Sequence, residues 1–488
     1  MIYDAVIIGA GVTGCAIARE LSRMKLSVLL TDRENDVACG ATRANSAIIH
    51  AGYDPEPGTL MARLNVEGCR LTGEICEKLD VPFKRVGSLV LAFSDEDMKT
   101  IRRLYENGVA NGVPEIRLID RDELRRLEPN VSENALGALL APSAGIIDPW
   151  GFAIAMAENA VVNGVEYKLR FKVTSIERET TDSGTLFTVS AENGETVKAR
   201  YVINAAGVHS GEIAKLGLFG TSDDPGFRIV PSKGQYFILD KTQGRLFSRV
   251  MFQCPSAVGK GVLVSPTIHG NLIVGPDAVT TDEPDNTGTT KAALDFVRSA
   301  AARTTGKIVY RDNIRNFAGV RPNSDQKDFI IAPSAAEPHF INVAGIKSPG
   351  LSSAPAIALE VLKLLENAGL ELVRKDDFIE TRRVTRFRHM DNEARAKLVA
   401  EHPEFGRVIC RCETVTEGEI IAALHSPITP VSIDGVKRRC NAGMGRCQGG
   451  FCGPRVLELM VRELGISPED VLKDRDGSWI VRLRDEQV

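Results

Sequence analysis

Five of the ten cysteines in this 488-residue chain lie in one short segment near its end. The stretch "VICRCET" contains Cys410 and Cys412, and "RRCNAGMGRCQGGFC" contains Cys440, Cys447 and Cys452. Because the first residues lack the basic region and cleavage site of a signal peptide, we expect a cytoplasmic protein. Thiols stay reduced in the cytoplasm, so these cysteines indicate metal or redox chemistry rather than disulfides.

A second chemical pattern stands at the other end of the chain, where Gly9, Gly11 and Gly14 form G-x-G-x-x-G. The first glycine permits a tight turn, the second lets a pyrophosphate approach the backbone, and the third lets a helix pack closely on a strand. Asp32 follows Gly14 by eighteen residues, where a carboxylate can accept hydrogen bonds from a ribose. This spacing predicts one dinucleotide site. The chain has no second fingerprint of this kind after an apolar strand, which argues against a separate NAD site.

The residues around these motifs predict the elements that position them. The short apolar run from Ala5 to Ile8, bounded by glycine, is typical of a buried parallel strand, and a helix and a second strand follow it. The dipeptide Asn193-Gly194 predicts a hairpin turn between two strands. Further along, "QYFIL", "GVLVSP" and "GNLIVG" suggest an antiparallel sheet. The stretch "SSAPAIALEVLKLLENAG" predicts a helix with serine at its start and proline in its first turn.

Composition limits the classes of protein to consider. With 43% hydrophobic and 25% charged residues, the chain is an ordinary globular sequence that is long enough for two or three domains. Its formal net charge of -4 gives no reason to expect a nucleic-acid partner. No apolar run approaches the roughly 18 residues that a membrane-spanning helix needs. We therefore expect no transmembrane segment and at most peripheral membrane contact through a partner.

The continuation of the fingerprint resembles a known superfamily. The segment "CGATRANSAIIHAGYDPEPGTLMARLNVEG" is similar to the second flavin-binding segment of the D-amino-acid-oxidase-like FAD oxidoreductases. The segments "AGIIDPWGFA", "VINAAGVHS", "FAGVRPNSDQKDFII" and "INVAGIKSPGLSSAPAIA" agree in order, so the resemblance covers roughly residues 4–366. It looks closest to L-2-hydroxyglutarate dehydrogenases and to the large subunit of anaerobic glycerol-3-phosphate dehydrogenases. FAD is therefore the expected dinucleotide.

The fingerprint and the resemblance together imply a set of cofactor-binding residues. Small polar residues on a loop suit flavin or its phosphates, and the start of a helix can stabilise negative charge on a reduced flavin. The expected set is Gly9, Gly11, Gly14, Asp32, Thr42, Asn45, Ser46, Val173, Gly207, Gly350, Leu351 and Ser352.

Two residues inside the flavin segments are candidates for the oxidation chemistry. His50 has the pKa range of a base near neutral pH, although a histidine that ends an apolar run could equally belong to the core. Arg321 matches the arginine that related enzymes direct at the anionic group of the substrate. The alternative role for Arg321 is a surface ion pair. Lys347 stands where relatives often have an acidic residue, and no role is predicted for it. His209 and His269 match no motif, so structural roles are expected.

The C-terminal cysteines resemble a second known module. "CRCETVTEGEI" and "GMGRCQGGFCGPRV" are similar to the domain of bacterioferritin-associated ferredoxin, which implies that Cys410, Cys412, Cys447 and Cys452 hold a [2Fe–2S] cluster. Structural zinc is the rival, but zinc sites favour C-x2-4-C pairs over C-x-C with C-x4-C. Relatives of this module commonly lack a cysteine at the position of Cys440. This residue is either a spare thiol or an alternative ligand.

These patterns predict an α/β architecture, α+β overall, with three parts. A Rossmann-like FAD-binding domain is interleaved with an antiparallel-sheet substrate domain, and a small cysteine-ligated [2Fe–2S] domain follows. The expected boundaries are 1–81, 146–225 and 332–375 for the FAD-binding domain, 82–145 and 226–331 for the substrate domain, 376–406 for a linker arm, 407–465 for the [2Fe–2S] domain and 466–488 for a tail.

The resemblance implies an FAD-dependent dehydrogenase of a small anionic hydroxy substrate. Glycerol 3-phosphate, oxidised to dihydroxyacetone phosphate, is the substrate we expect, with electrons leaving through the cluster to a protein acceptor. An L-2-hydroxyglutarate dehydrogenase or oxidase, an amino-acid or opine dehydrogenase, and a non-catalytic iron–sulfur sensor stay open as alternatives. The position of His50 and Arg321 inside flavin motifs argues against the sensor.

Overall fold

The computed structural model describes residues 1–182, 184–222, 224–255 and 261–482. Its α-helices are α1 (Val12–Leu21), α2 (Leu60–Lys78), α3 (Asp95–Ala110), α4 (Arg121–Leu127), α5 (Pro149–Val162), α6 (Ser210–Leu216), α7 (Lys291–Ala301), α8 (Gly350–Asn367), α9 (Asn392–Glu401), α10 (Glu417–Leu424), α11 (Ile433–Cys440) and α12 (Gly453–Leu464).

The strands among these residues are numbered in chain order. They are β1 (Ile2–Ile8), β2 (Val28–Thr31), β3 (Ile48–Ile49), β4 (Phe83–Arg85), β5 (Ser88–Ala92), β6 (Arg117–Asp120), β7 (Gly137–Ala141), β8 (Gly145–Ile147), β9 (Glu166–Lys168), β10 (Val173–Thr181), β11 (Gly184–Ala191), β12 (Thr196–Asn204), β13 (Ser232–Leu239), β14 (Val250–Gln253), β15 (Leu263–Pro266), β16 (Leu272–Gly275), β17 (Val279–Thr280), β18 (Asn313–Arg321), β19 (Ile330–Ser334), β20 (Glu337–Ala344), β21 (Val408–Cys410) and β22 (Val415–Thr416).

The first large sheet carries the nucleotide-binding fingerprint. Strands β9, β2, β1, β12 and β20 run parallel, while β10, β11 and β19 pair antiparallel at its edges. Ala5, Val6 and Ile7 of β1 are completely buried, as expected for a parallel strand covered on both faces. Helices α1, α5 and α8 pack together over one face. The carboxyl ends of β1 and β2 therefore meet at one edge, which is where α/β sheets bind ligands.

The second large sheet is the one predicted from "QYFIL", "GVLVSP" and "GNLIVG". The antiparallel prediction is confirmed for β13, β15 and β16, and β18 also pairs antiparallel with β13. It is wrong for one pair, because β14 and β5 run parallel with Val250 opposite Ser88. These two strands come from distant parts of the chain, so no hairpin forces them to be antiparallel.

Helix α8 begins earlier than its sequence pattern suggests. It starts at Gly350, so Pro355 lies in the second turn instead of the first. No side chain caps this helix, and the Ser353 hydroxyl instead donates to the carbonyl of Pro349 at 3.1 Å. The hairpin turn at Asn193-Gly194 is confirmed between β11 and β12, and Gly194 takes the positive φ of 84° that such turns favour.

The C-terminal part is a small domain of helices α10, α11 and α12 beside the β21–β22 hairpin. Helix α12 starts at Gly453, with Pro454 in its first turn. The expected linker arm contains helix α9, and Arg382 and Arg386 in it pair with Glu158 and Asp80. The exact domain boundaries stay predictions. Among the described residues, no helix has both the length and the apolar character that a membrane crossing requires.

Candidate active site

A cavity of about 1150 Å³ lies where the carboxyl ends of β1 and β2 face the second sheet. It exceeds the usual 300–1,000 Å³ of a small-ligand pocket, which suits a dinucleotide together with a substrate. The predicted residues that line it are Gly9, Gly11, Asp32, Thr42, Asn45, Ser46, His50, Val173, Gly207, Arg321, Gly350 and Leu351. Gly14 and Ser352 are the two predicted residues that lie behind its wall.

The three glycines of the fingerprint have different structural roles. Gly9 has a φ of 108°, and a Cβ on it would lie 2.4 Å from the carbonyl oxygen of Ala205. A Cβ on Gly14 would lie 1.9 Å from the carbonyl oxygen of Gly9, so the fold itself requires both glycines. Gly11 has an ordinary φ of -72°, and its nearest neighbour would be the Thr42 hydroxyl at 3.4 Å. The open space before Gly11, at the start of α1, therefore fits a pyrophosphate.

Asp32 is held firmly at the edge of this cavity. Its Oδ2 accepts from the Ala10 amide at 2.6 Å, and its Oδ1 accepts from the Glu34 amide at 2.9 Å. Burial raises the pKa of Asp32, whereas these two amides act in the opposite direction. Each carboxylate oxygen keeps a second lone pair, so the group can still accept a ribose hydroxyl.

His50 presents its ring to the cavity from a rigid backbone. Its amide donates to the Ser352 hydroxyl at 2.7 Å, and its carbonyl accepts from Asn65 at 2.8 Å. The imidazole stacks on Phe252 with ring centroids 5.7 Å apart, and its Nε2 lies 3.3 Å from the Ser348 hydroxyl. The buried Ser352 thus supports His50 from behind the cavity wall.

Arg321 reaches the same cavity from the end of β18. A Cβ on Gly234 would lie 2.1 Å from the guanidinium, so only glycine leaves room for it. Its Nη2 donates to the Tyr236 hydroxyl at 3.3 Å, and the Tyr236 ring stacks on Phe317 at 4.7 Å. In the part of the chain that the structure describes, Arg321 forms no ion pair with a carboxylate. Its guanidinium is therefore available to an anion.

Sequence reasoning missed several residues of the cavity wall. Trp150 and His269 line it with stacked rings 6.1 Å apart, and the buried Trp150 Nε1 and His269 Nε2 have no hydrogen-bond partner in the described part of the chain. His209 also lines the cavity, with its Nε2 3.2 Å from Asp285. Lys347 lines it too and donates to the Gln326 carbonyl at 3.2 Å. Trp150, His209 and Lys347 each lie inside a quoted flavin segment, whereas His269 lies in none.

The four predicted cluster ligands lie in the C-terminal domain as two close pairs, Cys410 with Cys452 and Cys412 with Cys447. The Sγ atoms of Cys412 and Cys447 are 3.8 Å apart. A hydrogen bond from Cys452 lowers the pKa of Cys410 to about 6, with help from the Gly443 amide 3.4 Å away and against burial. Backbone amides, that of Phe451 first, lower the pKa of Cys447. Backbone amide donors close to cysteine sulfurs suit an iron–sulfur cluster.

Cys440 has a different environment. It ends α11, and its thiol donates to the Val436 carbonyl at 3.4 Å. Burial raises its pKa to about 12, so this thiol stays protonated where Cys410 favours the thiolate.

The cysteine-bearing loop also abuts the large cavity. Met444 and Gln448, which flank Cys447 in this loop, line the cavity wall. The Gln448 side chain accepts from Arg315 of the second sheet at 3.3 Å. The candidate flavin and cluster sites therefore adjoin each other across this loop.

Comparison with known proteins supports both sites. A family model described as FAD dependent oxidoreductase matches residues 4–364, and one described as BFD-like [2Fe-2S] binding domain matches residues 408–462. The glycerol 3-phosphate dehydrogenase of Caloramator mitchellensis is 48% identical over 480 residues, which cover 98% of each chain. The glycerol 3-phosphate oxidase of Mycoplasma genitalium is 31% identical over 367 residues, which cover 74% of this chain and 94% of that one.

A solved structure shows the same relationship in three dimensions. The dithionite-reduced L-alpha-glycerophosphate oxidase from Mycoplasma pneumoniae, with FAD bound, superposes with a TM-score of 0.73 at 31% identity. The match covers 79% of this chain and 99% of that chain. The predictions of FAD, of a [2Fe–2S] cluster and of the fold class are confirmed. This chain belongs to the FAD-dependent oxidoreductases of the D-amino-acid-oxidase type and carries a C-terminal [2Fe–2S] domain.

Proposed function

We propose that the chain oxidises glycerol 3-phosphate to dihydroxyacetone phosphate and passes the electrons to a separate protein. The observation that carries this proposal is that the His50 imidazole and the Arg321 guanidinium both line the cavity that also contains Gly11. A base and a guanidinium fork suit an alcohol that also bears an anionic group. The two relatives named after glycerol 3-phosphate support the choice of substrate.

Bound FAD supplies the acceptor for the hydride of the alcohol carbon, and the [2Fe–2S] cluster supplies one-electron transfer. The neutral His50 imidazole accepts the hydroxyl proton at Nε2, where the Ser348 hydroxyl helps to hold the ring. Arg321 binds the phosphate with its fork, which Tyr236 orients from the side. The uncapped start of α8, at Gly350, favours negative charge in the cavity.

Substrate identity is decided by a panel of reduction assays without oxygen. We expect glycerol 3-phosphate to bleach the flavin absorbance of the purified protein, while L-2-hydroxyglutarate and amino acids react much more slowly. An arginine fork binds carboxylate as well as phosphate, so the expected preference for glycerol 3-phosphate rests on the two relatives named after it. Faster bleaching by L-2-hydroxyglutarate or by an amino acid would assign the chain to that substrate instead.

Paired variants separate the two proposed roles. Arg321→Lys keeps the charge but loses the fork. We expect kcat/KM for glycerol 3-phosphate to fall about 5- to 150-fold, which corresponds to about 1–3 kcal/mol, mainly through a higher KM. His50→Ala removes the base and should lower the maximal rate of flavin reduction roughly 10²–10⁴-fold. Arg311→Lys is the matched control, because Arg311 is exposed and does not line the cavity. Wild-type kinetics in both variants would remove these residues from the site.

We also propose the exit for the electrons. Cys412 is exposed and Cys447 is partly exposed, so one end of their site faces solvent. Phe451 nearby is 88% exposed, and the exposed side chains of Arg411 and Arg446 adjoin Cys412 and Cys447 in sequence. An exposed aromatic ring together with exposed cations suits an acidic electron carrier. The reduced state that these thiols need supports a cytoplasmic location.

A further inference from the structure

A C-terminal segment, residues 474–476, lies over the edge of the flavin cavity. It contacts the loop after β2, because Asn35 donates to the Asp474 carbonyl at 2.8 Å and Arg43 donates to the Asp474 carboxylate at 2.6 Å. Arg170, beside that loop, pairs with Asp476 at 2.9 Å. The same loop leads from Asp32 to Thr42, where the nucleotide half of FAD is expected. Asp474 and Arg475 themselves line the cavity.

Two arginines at this edge of the cavity carry buried Nε–H donors. Arg438 is only 5% exposed and lines the cavity, yet its buried Nε has no hydrogen-bond partner among the described residues. Within the described part of the chain, the buried Nε of Arg475 also has no hydrogen-bond partner. Its nearest carboxylate oxygen, on Glu34, is 3.7 Å away, which is too far for a hydrogen bond. A buried charged donor without an acceptor lowers the stability of the fold, so we expect an oxygen of a ligand to accept from both nitrogens.

The neighbouring carboxylates already accept hydrogen bonds from the terminal nitrogens of Arg438 and from other arginines. Asp36 accepts from the Nη2 of Arg438 at 3.0 Å and also pairs with Arg439. Asp474 accepts from Arg43 and from the Nη1 of Arg438 at 3.1 Å. These contacts use the terminal nitrogens of Arg438 and fix the guanidinium in place. Its Nε is left for an acceptor that comes from outside the protein.

We propose that Arg438 and Arg475 donate their Nε–H groups to the diphosphate and ribose oxygens of FAD, so that the C-terminal segment completes the FAD site. Such oxygens are strong acceptors for guanidinium donors. Arg475 lies beyond both matched regions, which end at residues 364 and 462. This inference rests on the proposed placement of FAD at Gly11. It makes FAD retention depend on a segment that follows the cluster domain.

The test is the FAD affinity of protein from which FAD has been removed and which keeps its cluster. Titration with FAD, followed by quenching of flavin fluorescence, should give a Kd at least about tenfold weaker for Arg475→Met than for wild type. Arg482→Met is the control, because Arg482 stacks on Trp479 and does not line the cavity. An unchanged visible circular dichroism of the cluster shows that the domain is folded.

The outcomes separate this inference from the proposed FAD placement. A wild-type Kd for Arg475→Met, together with loss of FAD from Gly11→Val, overturns the role of the C-terminal segment alone. Retention of FAD by Gly11→Val overturns the placement itself. Arg438→Met should also weaken FAD binding, but Arg475 is 31% exposed and its replacement disturbs the fold less.

Proteolysis gives a second readout that does not depend on activity. FAD that binds to residues 474–476 stabilises the state in which this segment lies over the cavity edge. Bound FAD must therefore slow cleavage within the segment. Trypsin should cut after Lys473 up to about tenfold more slowly when FAD is present at ten times its Kd. Arg475→Met protein at the same FAD concentration should lose most of this protection. Equal cleavage rates of the wild-type protein with and without FAD would contradict the proposal.

Discussion

Serine at any one of Cys410, Cys412, Cys447 or Cys452 is expected to abolish or destabilise the [2Fe–2S] cluster while glycerol 3-phosphate still bleaches the flavin. A hydroxyl is a harder and far less acidic ligand than a thiol, so it binds iron poorly. The fingerprint glycines and His50 belong to other elements, and flavin reduction should continue. Electron transfer to the acceptor protein should fail. Visible absorbance, iron content and the two half-reactions measure these effects separately.

Cys440→Ser is the matched control for the four ligand variants. Cys440 lies in the same domain, but burial raises its pKa to about 12 and its thiol already donates to a carbonyl. We expect this variant to keep both the cluster and full turnover. Zinc in place of iron in protein purified without oxygen, or full acceptor turnover after loss of the cluster, would show that the four cysteines are structural.

Gly11→Val should yield folded protein without the yellow flavin spectrum. The backbone at Gly11 has a φ of -72°, and its Cβ would meet only the Thr42 hydroxyl at 3.4 Å, so the apoprotein tolerates a side chain. The branched side chain would instead fill the space before the start of α1, where the pyrophosphate is expected. Flavin released by denaturation, measured per mole of protein, checks the loss.

Two other glycines control for the effect of the substitution itself. Gly306 is exposed, and a Cβ added to it would have no neighbouring atom within 4 Å, so Gly306→Val should keep stoichiometric flavin. Gly14→Val should fail to fold, because its Cβ would overlap the Gly9 carbonyl. Stoichiometric flavin in purified Gly11→Val would refute the assignment of the fingerprint to FAD.

The sequence by itself determined the local chemistry of this protein. Gly9, Gly11 and Gly14 are fixed by one tight turn between a strand and a helix, and a turn is a matter of neighbouring residues. The Cys410–Cys412 and Cys447–Cys452 spacings likewise belong to short loops. Such features follow from backbone geometry over a few residues, so their spacing alone predicts them.

Only the tertiary structure decided which of these parts meet. The parallel pairing of β14 with β5 and the approach of Gln448 to the cavity join segments far apart in the chain. Arg438 and Arg475 have no motif, and they line the cavity because ion pairs of Arg438 with Asp36 and Asp474 hold the C-terminal segments together there. Docking depends on the complementarity of two folded surfaces, which no local spacing encodes.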